Sequence, residues 1–333
     1  MIRLAACLLA TTLLAGCGSN RETREPDVVV GSATASAEQE AAGGAGRVSI
    51  WVVTHGQASS AFWTIVRNGV DAASRQTAVQ VTYRSPDVYD VGTMAKLIDD
   101  AVAAHPDGLV VSIPSEELTA PIRRAVKAGI PVVSINSGSD VSRRIGTLAH
   151  IGQPEETAGF KAGKRLVAAG AGKGGALCIN QEVGNVGLDR RCAGFARAIR
   201  AAGGSPRVVA VDTKDLEETR RRVAEAASEP GIDAVLALNN TGGEIAADVV
   251  PRDVLIGTFD FTPAVLRAIR SGRIEFAVDQ QPYLQGYLPI VFLAERARYG
   301  LFPAQGEVVP TGPNFITAGN AAQAERLSLQ GIR

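Results

Sequence analysis

Phe62 and Trp63 stand side by side in this 333-residue chain, with His55 and Ser60 just ahead of them. Further along, Asn136, Arg191, Asn239, Asp260 and Gln280 each lie at the end of an apolar run or beside one. Aromatic rings offer flat apolar surface. A guanidinium, a carboxamide and a carboxylate each make two hydrogen bonds in a fixed plane. Together these groups suit a noncovalent grip on a small hydroxylated molecule with apolar faces and a polar rim. A buried polar group left unpaired costs about 1–3 kcal/mol, so such a pocket rejects ligands that lack a matching hydroxyl. Each residue also has a structural alternative. Phe62 and Trp63 could pack a helix on the core, and Asp260 could cap a helix starting near Pro263. Arg191 could pair on the surface, Asn239 could serve a turn, and Gln281 could take the place of Gln280. His55 and Asn136 could be satisfied polar residues of the interior.

Reactive chemistry finds no comparable support. No Gly-x-Ser-x-Gly elbow presents a nucleophile. His55, His105 and His150 are scattered without metal-ligand spacing or triad partners. The stretch Gly170–Gly175 has no Ser or Thr after Lys173, and Val167 stands where a phosphate loop needs its first glycine. The expectation is a binding protein with no cofactor and no metal, not an enzyme.

The elements that must position these residues follow from periodicity. Short Val/Ile/Ala runs alternate with helix-period segments: 48–54, 79–83, 107–112 and 131–136, then a second series at 175–180, 207–212, 233–238, 254–259 and 275–279. Continuous apolar strands between amphipathic helices predict parallel sheets covered on both faces. Two series predict two similar α/β lobes, the second opening with a helix over 153–168. Ligands of open parallel sheets bind beyond the carboxyl ends of the strands. That places His55, Gln57, Ser60, Arg84 and Asn136 with Ser137 at the first sheet's edge. Gln181, Asn185, Asp189–Arg191, Asn239, Asn240, Asp260, Gln280 and Gln281 stand at the second's.

The N-terminus is of a different kind. Arg3 precedes the largely apolar stretch Leu4–Leu14, which is too short to span a membrane. Leu14-Ala15-Gly16-Cys17 resembles the lipobox of bacterial lipoproteins. The resemblance implies a signal peptide over 1–16, lipid on the Cys17 thiol and an exported, membrane-anchored protein of the cell envelope. Residues 17–46, rich in Ala, Gly, Ser, Thr and Glu, read as a flexible tether. Cys178 and Cys192 then form an even pair in an exported chain, and a bridge across the turn between them is expected; two buried thiols are the alternative. With 34 basic and 34 acidic residues and no basic run, nothing favours nucleic acid. The stretch 288–300 begins apolar, but Glu295, Arg296 and Arg298 make it an amphipathic helix.

From Arg47 to about Ile316 the chain resembles the type I periplasmic sugar-binding proteins, the ribose- and galactose-binding receptors of ABC importers. Ser60-Ala61-Phe62-Trp63 is similar to the family's Asn-Pro-Phe-Phe turn, and Arg191 to the Arg ahead of a Gly-Phe pair, here Gly194-Phe195. Asn239 in "LALNN", Asp260 in "GTFDFTP" and Gln280 in "DQQPY" match the remaining sugar-binding positions. The resemblance implies two Rossmann-like lobes joined by a hinge. One lobe takes 47–153 with about 281–311, the other 154–280 with about 312–333. It also implies a monomer that closes on a monosaccharide or polyol and delivers it to a permease, or alternatively a sensory receptor presenting sugar to a signalling partner. Where the family often has Asp-Arg, this chain has Asn136-Ser137, and its first turn carries His55. Both departures point beyond simple ribose or glucose, toward a polyol or modified sugar.

Overall fold

The computed structural model describes residues 47–333 apart from 57–59 and 213. The signal peptide, Cys17, the tether and Gln57 lie outside the described residues.

The first sheet collects β1 (Ser49–Val53), β2 (Gln80–Arg84), β3 (Gly108–Ser112), β4 (Val132–Ile135) and β5 (Ala149–Gly152). With β11 (Val308–Pro310) it runs in the order β11-β5-β4-β3-β1-β2, parallel throughout. Its helices are α1 (Ala61–Thr77), α2 (Val91–Ala104), α3 (Thr119–Lys127), the single turn α4 (Ser139–Ser142) and α10 (Pro282–Tyr299). The second sheet holds β6 (Gly175–Asn180), β7 (Ser205–Ala210), β8 (Ile232–Ala237), β9 (Leu255–Phe259) and β10 (Phe276–Asp279). With β12 (Asn314–Ile316) its order is β12-β10-β9-β8-β6-β7, parallel except for the antiparallel pair β10–β12. Around it lie α5 (Glu155–Ala168), α6 (Val186–Ala201), α7 (Leu216–Ala227), α8 (Asn240–Val249), α9 (Pro263–Arg270) and α11 (Ala321–Ser328). The two strand orders are the same permutation, so β4 and β9 occupy equivalent places. The chain passes between the sheets at residues 153–154, 280–281 and 311–313.

Each sheet is buried on both faces because alternate side chains along a strand point opposite ways. Ile50 and Val52 pack under α1 and α10, while Val53 faces the core beneath α2 and α3. Leu177 and Ile179 serve one core of the second sheet, Ala176 and Cys178 the other.

Two helix pairs meet at backbone contact. A Cβ on Gly159 would lie 1.9 Å from the Arg191 carbonyl oxygen, and one on Gly194 1.9 Å from that of Glu156, so α5 and α6 touch without intervening side chains. Gly69 and Gly286 play the same part between α1 and α10, facing the carbonyls of Tyr283 and Val66. Both pairs stand beside the crossovers. They hold α1, whose first turn carries Phe62 and Trp63, and α6, whose second turn carries Arg191.

Candidate functional site

Between the carboxyl ends of the two sheets lies a cavity of about 310 Å³, within the usual size for a small-molecule site. All nine residues singled out in the sequence line it. From the first lobe come His55, Ser60, Phe62, Trp63 and Asn136; from the second come Arg191, Asn239, Asp260 and Gln280. Gln181, Glu182, Asn185, Asn240 and Thr241 complete the polar wall.

The aromatic side is built at the start of α1. Phe62 and Trp63 meet edge to face at 5.1 Å, and Trp63 takes His55 against its ring at 4.9 Å. The indole lies over Gly56, where any Cβ would collide with it. Ser60 is the N-cap of α1, yet its hydroxyl caps no backbone N–H, which leaves it to the cavity.

On the opposite side a relay of charged and amide groups runs from the interior to the cavity. Arg191 and Glu155 are each 3 % exposed and form a two-pronged ion pair, with Arg191 Nη2 donating to Glu155 Oε1 at 2.8 Å and Nε to Oε2. Arg191 Nη2 also donates to Gln280 Oε1 at 2.7 Å, and Gln280 Nε2 donates to Asp260 Oδ1 at 2.8 Å. A donor on one side and a carboxylate on the other fix which way the Gln280 amide points. Nη1 reaches the Leu238 carbonyl at 3.5 Å, and the guanidinium lies over the Phe259 ring at 4.5 Å. The sequence suggested an arginine fork open to the ligand. Instead Glu155 occupies that fork, and one Nη1 proton remains for the cavity. Burial opposes the charge of Arg191, but Glu155 beside it holds its pKa above the ordinary range. Burial pushes the Asp260 carboxyl up to about 7, against the pull of Arg191 and the Gln280 hydrogen bond.

Backbone conformation aims two of the polar groups. Asn136 and Asp260 follow the equivalent strands β4 and β9, and both are left-handed, with φ of 61° and 58°. Asn and Asp are the non-glycine residues that tolerate this region best. Asn136 Nδ2 donates to Gln285 Oε1 at 3.3 Å. Asn239 Oδ1 accepts from the Gly242 N–H at 2.7 Å as the N-cap of α8, which frees its Nδ2 for the cavity. Gln181 Oε1 is buried and has no hydrogen-bond partner among the described residues.

Cys178 and Cys192 are joined by a disulfide, which ties β6 to the α6 turn next to Arg191. Of the other strand-end residues, Ser137 and Arg190 lie outside the cavity wall, Ser137 against Asn185 and Arg190 against Asp140, and three more lie elsewhere. Arg84 ends the edge strand β2, exposed, with its guanidinium beside the Trp51 ring. The Gln281 N–H is held by Asp279, and Asp189 accepts from Asn180. Asp260 does not cap α9; Thr262 does. Glu155 and Glu182 escaped the sequence reading. Glu155 opens the helix after the first crossover, and only the pairing of α5 with α6 reveals its partner.

Among the described residues no cluster of His, Cys, Asp or Glu is placed to hold a metal ion. The cleft is walled by hydrogen-bonding groups and ring faces. Two α/β lobes with such a cleft between their strand ends define a ligand-binding receptor, and residues 50–300 match the periplasmic binding protein domain: the chain belongs to that family. A carbohydrate transporter from Acidothermus cellulolyticus, solved in complex with myo-inositol, is 34% identical. It covers 86% of this chain and 100% of its own, with a TM-score of 0.80. The xylose/arabinose-binding protein XylF of Sulfolobus acidocaldarius is 25% identical over 78% of this chain and 68% of its own. A carbohydrate transporter solute-binding protein from Agrobacterium radiobacter, in complex with D-arabinose, shares the fold at 23% identity and a TM-score of 0.74, over 86% and 99% of the two chains.

Proposed function

We propose that this protein is the solute-binding lipoprotein of an ABC importer, taking a monosaccharide or cyclic polyol into the cleft and delivering it to a membrane permease. The observation that carries the reading is the convergence of both lobes on one cavity, with ring faces on one side and the Glu155–Arg191–Gln280–Asp260 relay on the other. A polyol ring between Phe62 or Trp63 and the relay would bury its apolar face and spend its hydroxyls on Asp260, Asn239 and Gln181. The relative bound to myo-inositol supports a cyclic polyol over an open-chain ligand. The three crossovers, at residues 153–154, 280–281 and 311–313, serve as the hinge, and a ligand touching both lobes favours the closed state. Lipid on Cys17 and the tether over 17–46 would keep the receptor beside its permease and raise its effective concentration.

A thermal-shift screen of myo-inositol, pentoses and hexoses tests the reading. Ligand that binds the folded protein raises its melting temperature. One of these compounds is expected to raise it, and Asp260→Ala is expected to abolish that shift. A shift unchanged in Asp260→Ala moves the site elsewhere. Uptake of the identified ligand should fail in a strain lacking the gene; normal uptake would argue against delivery to a permease.

A further inference from the structure

His55 and Glu182 face each other across the cleft, His55 from the turn after β1 and Glu182 from the turn after β6. The Nε2 of His55 lies 4.0 Å from Glu182 Oε2. That is too far for a hydrogen bond, yet one oxygen atom fits about 2.8 Å from both.

The surroundings assign donor and acceptor. The His55 backbone N–H donates to Ser112 Oγ at 3.0 Å, and Ser112 Oγ lies 2.7 Å from His55 Nδ1. Ser112 is fully buried, so its hydroxyl proton needs an acceptor, and Nδ1 supplies it. The ring proton then sits on Nε2, aimed at the gap. Burial lowers the His55 pKa, the charge of Arg191 lowers it further, and Glu182 opposes both without reversing the shift, so the ring carries that single proton at neutral pH. Trp63 holds the ring edge to face, which fixes its direction. Glu182 is held from its own lobe by Asn185 Nδ2, which donates to Oε2 at 2.7 Å. Its Oε1 accepts no hydrogen bond among the described residues.

We propose that His55 and Glu182 together hold one hydroxyl of the bound ligand across the cleft, the imidazole N–H donating to its oxygen and the Glu182 carboxylate accepting its proton. This rests on the polyol reading of the cleft and adds a specificity element to it. A hydroxyl can do both at once, whereas an ether oxygen, a methylene or a carboxylate cannot. The pair is assembled from both lobes, so it reads this hydroxyl only when they meet.

The test is calorimetric titration of the full mature protein with myo-inositol and with its monodeoxy analogues. Glu182→Gln keeps the size of the side chain but weakens the acceptor, and about 10- to 100-fold weaker myo-inositol binding is expected, the range for a charged hydrogen bond. Against the one deoxy analogue that lacks the bridging hydroxyl, Glu182→Gln and the unaltered protein should bind alike, and His55→Gln should follow the same pattern. Melting curves of the ligand-free variants control for folding. If Glu182→Gln binds every compound as the unaltered protein does while Asp260→Ala has lost binding, this inference falls and the polyol site stands. An equal penalty of Glu182→Gln against every deoxy analogue also overturns it. If the unaltered protein binds none of these cyclitols, the cyclic-polyol reading and this inference fall together.

Discussion

Asp260 keeps its place in the wall at a cost. Its unfolded carboxyl titrates near 3.8, and burial raises the folded value to about 7. Between those values the folded protein holds a proton that the unfolded chain has released. The stability linked to this group is therefore fully present below about pH 3.8 and is lost as pH rises through about 7. Asp260→Asn removes the titration. The variant is expected to melt higher than the unaltered ligand-free protein at pH 8, with the gap shrinking steadily toward pH 4. Paired melting curves across that range check it, and a gap independent of pH would show that Asp260 does not titrate this way. A carboxylate under such tension gains most when a hydroxyl hydrogen replaces the water it has lost, which is why Asp260 suits a binding wall.

The helix pair α5–α6 is the part that places Arg191. Gly159 and Gly194 let the two backbones touch, and the touching brings Glu155 and Arg191 into line. Gly194→Ala should force the helices apart, costing about 1–3 kcal/mol in denaturant melts. It should weaken ligand binding as well, because Arg191 and Gln280 move together. A stable variant with unchanged affinity would show that this packing does not set the site. Elements also mark where local reading ends. Strands β1 and β6 and helix α2 are legible because their apolar runs are long and periodic. Strands β5, β11 and β12 are three or four residues each, AHIG, VVP and NFI, too short to carry a pattern; their neighbours in the sheets create them. Helix α10 starts at Pro282, ahead of the expected 288, because proline at the first helical position costs no hydrogen bond, and the helix carries Pro289 within it.

At the scale of the whole molecule the lobes touch at a rim beside the cleft. The Val186 N–H donates to the Pro114 carbonyl at 2.9 Å, Ser137 Oγ lies 3.2 Å from Asn185 Oδ1, and Arg190 pairs with Asp140 at 3.0 Å. Under the proposed closing mechanism these contacts would bias the opening equilibrium from beside the ligand. Arg190 and Asp140 are both more than half exposed, and such a pair contributes little in isolation. Asp140→Arg sets like charges face to face across the rim. It should weaken ligand affinity about two- to fivefold and enlarge the radius of gyration measured by small-angle scattering without ligand. Affinity and scattering both unchanged would mean that this rim does not take part in closure.

Several features were legible in the sequence alone: two series of alternating strands and helices, the strand-end positions of most of the wall residues, and an aromatic pair with amides and a carboxylate to complement it. Each depends on period, turn chemistry or side-chain type, which are properties of neighbours along the chain. Only the tertiary structure decided that Glu155 fills the Arg191 fork, that Gln280 links Arg191 to Asp260, and that Glu182 stands opposite His55. Those partners are far apart in sequence and meet through two crossovers and the packing of α5 on α6. Side-chain chemistry can be read residue by residue, but which free valences remain for a ligand depends on every other contact the fold has already made.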